Sequence, residues 1–142
     1  MTNLEFTTRV IVALIAGLLI GLERQWHHKS AGLRTTTLVS FGSALYVLLS
    51  ITITQSTGDA TRIIGQVVTG IGFLCAGVIF REGVSVHGLT TAVTIWCSSA
   101  IGCLAAAGYY METFIATGLI LLVNIVLKPV DKWLTNRNPD GK

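Results

Sequence analysis

The chain has 142 residues, 51% of them hydrophobic and 12% charged, with a net charge of +3 and a mean hydropathy of +0.69. That length leaves room for one domain, and that composition places the chain in the membrane class. Its basic residues lie between apolar runs rather than in a patch, which argues against a nucleic-acid partner.

The first predicted span is Leu4 to Leu22. Its uninterrupted apolar part, Val10 to Leu22, covers only about 20 Å at the helical rise, against about 30 Å of hydrocarbon. The helix must therefore take in Glu5 and Arg9, an i,i+4 pair in the favourable acid-before-base order. Arg9 shares a side with Ala13, Gly17 and Gly21, a small-residue stripe that would turn it into the bundle; the alternative is that it snorkels outward onto Glu5. A cleaved signal peptide is not expected, because the segment opens with an acid and lacks a clean small-x-small site.

Glu23 to Arg34, ERQWHHKSAGLR, is the first loop, with Trp26 at the interface. Thr35 to Thr54 is the second span, with Gly42, Ser43 and Ala44 near its middle. Gln55 to Arg62 reads as a short polar turn.

Gly65 to Ala107 holds the third and fourth spans, joined by a short polar turn carrying Arg81, Glu82 and His87. On a helical wheel the third divides sharply. Gly65, Gln66, Thr69, Gly70, Gly72, Ala76 and Gly77 face one way; Ile64, Val67, Val68, Ile71, Leu74, Val78 and Ile79 face the other. The fourth repeats this, with Thr91, Thr94, Ser98, Gly102 and Ala105 opposite Leu89, Val93, Trp96 and Leu104, and Ile95 intruding on the small side. In lipid, small residues mark where backbones approach, while bulky aliphatics can face the tails. Gly17, Gly21, Gly65, Gly70, Gly72, Gly77, Ser98 and Gly102 are thus expected to bury the small faces of spans one, three and four against one another.

Tyr109 to Glu112 forms a tight turn, and Thr113 to Leu127 is the fifth span, with Asn124 inside it. The sequence predicts an all-α, polytopic membrane bundle of about five helices over residues 1–128, followed by a short polar tail over 129–142. Lys and Arg concentrate in the first loop, the third loop and the tail, which puts the amino terminus outside and the carboxy terminus in the cytoplasm. Cys75, Cys97 and Cys103 lie inside apolar runs without CxxC spacing and read as packing residues.

GLERQ, GLRTTTLVSFGSAL and QVVTGIGFLCAGVIFREGVSVHGLTTAVTIWCSSAIG resemble, in order and spacing, the MgtC/SapB family of bacterial inner-membrane proteins. The resemblance covers about Arg9 to Leu127. It implies a multi-span domain of the inner membrane tied to magnesium homeostasis and adaptation to low magnesium, in some members with survival inside host cells. Family members were named as magnesium transporters, but a role modulating other membrane proteins is at least as favoured. Many members continue into a cytoplasmic domain where this chain ends in a short tail. Virulence-associated members have Asn where this chain has Thr90, and a hydroxyl offers one donor–acceptor pair fewer than a carboxamide.

Nucleophile–base spacing, a phosphate loop and a zinc signature are all missing, so an enzyme is not expected, nor is a cofactor. A magnesium path would need oxygen ligands, usually carboxylates, and Glu5, Glu23, Asp59, Glu82 and Glu112 fall at predicted span ends or in loops. Metal ligands stay unassigned; His27, His28 and His87 read as structural or solvated. Two function classes stay open: a non-enzymatic protein that packs against its own copy or another membrane protein, and a magnesium or small-ion permease. The expected partners are the bilayer and those helices.

Glu23–Arg24 and Arg81–Glu82 are acid–base pairs at the same ends of spans one and three. Either they are ordinary interfacial charges, or they converge with Arg34 and Thr90 into one network, Glu23 meeting Arg81 and Arg24 meeting Glu82. Arg9 is the remaining charged candidate. Gln66 and Asn124 are expected to make hydrogen bonds between helices.

Overall fold

A computed structural model describes residues 1–54 and 60–137. It contains α1 (Asn3–Trp26), α2 (Leu33–Thr54), α3 (Ala60–Val78), β1 (Phe80–Glu82), β2 (Ser85–His87), α4 (Leu89–Ala107) and α5 (Tyr110–Arg137). All five helices are long and apolar enough to cross a membrane. The protein is an all-α, multi-pass membrane bundle.

α1 begins with a capping box: Thr2 accepts from the Glu5 N–H, and the Glu5 carboxylate accepts from the Thr2 N–H. Each side chain thereby satisfies a helix-start N–H that would otherwise lack an intrahelical acceptor. Arg9, instead of pairing with it, donates from Nη1 to the carbonyl of Ala106 at 2.6 Å, at the end of α4. The reading in which Arg9 faces the bundle holds, and the cation meets the negative end of a helix.

α4 is the centre, packing on every other helix. α1, α2 and α4 form the tightest group, and glycine makes this closeness sterically feasible. A Cβ on Gly17 would lie 2.8 Å from the Ser40 Cβ, and one on Gly21 would lie 2.5 Å from the Thr36 hydroxyl. A Cβ on Gly102 would fall on the Ser40 carbonyl oxygen. Hydroxyls then stitch the backbones together: Thr36 donates to the Gly17 carbonyl, Ser40 to that of Ala13, and Ser43 meets Ser99 at 2.7 Å. Ser98 is fully buried and donates to Thr94 within α4. Ile95 is buried too, against Cys75 and Ala92, which accounts for its place on the small side.

α3 corrects the sequence reading. It packs on α2 and α4 through Val67, Ile71, Cys75 and Val78, so much of the predicted lipid face turns inward. Gly65, Gly70, Gly72 and Gly77 lie outside, with nothing within 4 Å of a Cβ placed on any of them. The cause is energetic: aliphatic burial gains little over lipid, so hydropathy gives a lone helix no strong preference for which face it buries. α3 meets α4 through a Cys75 Sγ–Ala92 carbonyl contact and branched side chains instead.

α5 packs on α1 and α4 through Thr113, Ala116, Thr117 and Ile120. It does not stop at Leu127 but stays helical through Pro129 to Arg137, so most of the predicted tail extends the fifth helix. The turn between α3 and α4 is a β-hairpin, with Arg81 opposite Val86 and Gly83 at φ 59° in its tight bend. Positions 55–59 of the predicted second turn, and 138–142 of the tail, lie outside the described residues.

Candidate functional site

The polar chemistry gathers where α1 ends, α4 begins and α5 passes. α1 runs four residues beyond Leu22, which carries Glu23 and Arg24 on the helix rather than in a loop. His28, at φ 51°, then takes the left-handed conformation that ends a helix, and the Lys29 N–H closes onto the Arg24 carbonyl at 3.0 Å. This folds Lys29–Ala31 back over the helix end.

Arg24 is 1% exposed. Its Nε donates to the Ala31 carbonyl at 3.3 Å and its Nη2 to the Thr91 hydroxyl at 2.5 Å, joining α1, the folded-back segment and α4. No carboxylate lies within 4.0 Å of it among the described residues. Glu23 turns the other way. Its side chain is 8% exposed; Oε1 is 2.9 Å from His27 Nδ1 and Oε2 accepts from Asn124 Nδ2 at 3.3 Å. His27 Nδ1 is also 2.9 Å from the Glu23 carbonyl, so it faces acceptors only and acts as a donor. Asn124 ties α5 to α1, as expected of an interhelical amide. Gln66, expected to do the same, instead lies exposed on α3 beside a groove against α2, because that face of the helix turns outward.

Beside these groups is a pocket of about 560 Å³, with Glu23, Arg24, Lys29, Thr90, Lys128 and Asp131 on its polar side. Its apolar side belongs to α5, through Val123, Leu127, Val130 and Leu134.

Of the predicted network, the structure therefore brings together Glu23, Arg24 and Thr90. Arg34 is exposed on the first turn of α2. Arg81 is exposed and donates within the hairpin to the Gly83 carbonyl at 2.8 Å. Glu82 is 83% exposed and lies 3.9 Å from His87. Arg9 is at the opposite end of the bundle. Glu23 does not meet Arg81, nor Arg24 Glu82, because α1 packs on α2, α4 and α5 while α3 packs on α2 and α4. The hairpin consequently sits on a different side from the Glu23–α5 contact. The sequence reading missed Thr91, Lys29, Lys128 and Asp131. The Glu23–His27 pair had a legible signal in its four-residue spacing, and the wheel puts Thr91, not Thr90, on the small face of its helix, though not against Arg24.

Residues 10–133 match the MgtC family. The chain is 48% identical over 118 residues to Protein MgtC of Brucella abortus, covering 83% of this chain and 49% of that one. It is 46% identical over 128 residues to Protein MgtC of Salmonella typhimurium, covering 90% and 54%. An uncharacterized protein of Synechocystis is 44% identical over 133 residues, 94% of this chain and 56% of that one. The chain thus spans about half the length of the curated relatives it matches. No solved structure matches it. With residues 10–133 matching it, this five-helix membrane bundle belongs to the MgtC family.

Proposed function

We propose that the protein is a non-enzymatic component of the bacterial inner membrane that supports growth at low magnesium by engaging another membrane protein, or its own copy, through α3. The observation that carries this reading is the outward small face of that helix. Gly65, Thr69, Gly72 and Ala76 recur at helical spacing and are all exposed. In lipid such a stripe gains nothing from the tails and lets a second helix backbone approach closely. Family membership supplies the link to magnesium. The loop charges support an amino terminus outside and a carboxy terminus inside, and in that orientation the Glu23–Arg24 pocket is at the cytoplasmic end.

Photocrosslinking from Ala76 in native membranes tests the reading. A discrete adduct is expected, and Gly72→Leu should abolish it and impair low-magnesium growth while the protein still accumulates. Normal growth of a Gly72→Leu strain would overturn the proposal. Magnesium flux into proteoliposomes holding only this protein would instead favour a permease. Reporter fusions after Lys128 and after Thr57 check the orientation, the first active only in cytoplasmic form and the second only in exported form.

A further inference from the structure

The pocket between α1 and α5 has the chemistry of an anion site, open to the bilayer on one side. Arg24 is a buried cation with no carboxylate within 4.0 Å among the described residues. Of its five N–H groups, Nε–H and one on Nη2 meet protein acceptors; Nη1 meets none among the described residues. Lys29 and Lys128 join it on the pocket wall. Two acids share that wall, and Glu23 is already engaged by His27 and Asn124. The local balance of three cations against two carboxylates favours an anion. The rest of the lining is aliphatic: Val123, Leu127, Val130 and Leu134 lie along α5, each about half exposed. A soluble anion would have no use for that surface, whereas an acyl chain would lie along it. Clustered cations where helices leave the hydrocarbon are the usual recognition chemistry for acidic headgroups.

We infer that this pocket holds one anionic phospholipid, its phosphodiester against Arg24, Lys29 and Lys128 and its acyl chain along α5. The inference stands on the multi-span architecture and does not depend on the functional reading above.

Native mass spectrometry of the protein released from nanodiscs tests it, with equal phosphatidylglycerol and phosphatidylethanolamine as the probe lipids. One phosphatidylglycerol should be retained in preference to phosphatidylethanolamine. Lys29→Gln with Lys128→Gln, which leaves buried Arg24 and the fold in place, should lower that retention about tenfold or more. Arg62→Gln, an exposed charge at the other end of the bundle, should leave it unchanged. Equal retention of the two lipids, an unaltered double variant or an equal loss in Arg62→Gln would each overturn the assignment. Displacement of the bound lipid by millimolar inorganic phosphate would also overturn it, in favour of a soluble ligand. Partner crosslinking through α3 reads the functional proposal separately, so either can fail alone.

Discussion

α3 and α4 are consecutive, similar in length and similarly rich in small residues, yet they are used in opposite ways. α4 is buried over 61% of its apolar window and α3 over 6%. The difference lies in what accompanies the small residues. α4 presents Thr91 and Ser99, whose hydroxyls meet Arg24 on α1 and Ser43 on α2. The small face of α3 is mostly glycine, and its Thr69 hydroxyl is satisfied within its own helix, by the Gly65 carbonyl. Where hydropathy no longer separates inside from outside, hydrogen bonds between helices and close backbone approach decide which face is buried.

Substitution can break that comparison most forcefully at Gly102. Gly102→Leu should prevent accumulation in the membrane, because even a Cβ there falls on the Ser40 carbonyl. Gly102→Ala should cost about 1–3 kcal/mol in detergent unfolding. Normal melting of both variants would mean α2 and α4 are not in contact there.

Next in size is Glu23→Ala, which leaves the partly buried Asn124 amide without its acceptor, while His27 keeps the carbonyl of residue 23, and should cost about 1–3 kcal/mol. The charge swap Glu23→Arg with Arg81→Glu should not restore stability, since Arg81 is bonded within its own hairpin. Recovery in the double variant would put α1 beside the hairpin and discredit the packing order.

A smaller effect of opposite sign is expected at His28. Its left-handed conformation costs a non-glycine residue about 1–2 kcal/mol, so His28→Gly should raise the melting temperature. A lowered melting temperature would show that the imidazole does more than tolerate the turn.

Gly72→Leu should change stability least, within about 0.5 kcal/mol, as for any surface position without special contacts. A collapse comparable to that of Gly102→Leu would mean α3 packs by its small face after all.

The sequence by itself determined the membrane class, the helix count and the division of α4, because span length and composition are one-dimensional properties of a chain crossing a fixed thickness of hydrocarbon. It also placed Arg9 on its small stripe, while leaving open whether the side chain snorkels outward, and Asn124 between helices; the same expectation for Gln66 fails, because α3 turns that amide outward. The face α3 turns inward was not legible, because a stripe of glycines is compatible with contacts inside the bundle or outside it. Nor was the partner of Arg24: the wheel turns Thr91 inward, but only the packing of α4 on α1 sets its hydroxyl on the guanidinium and leaves Thr90 on the pocket rim. Glu23 could have met Arg81 or Asn124 by sequence alone. The tertiary structure chose Asn124, because α5 and not α3 lies against α1.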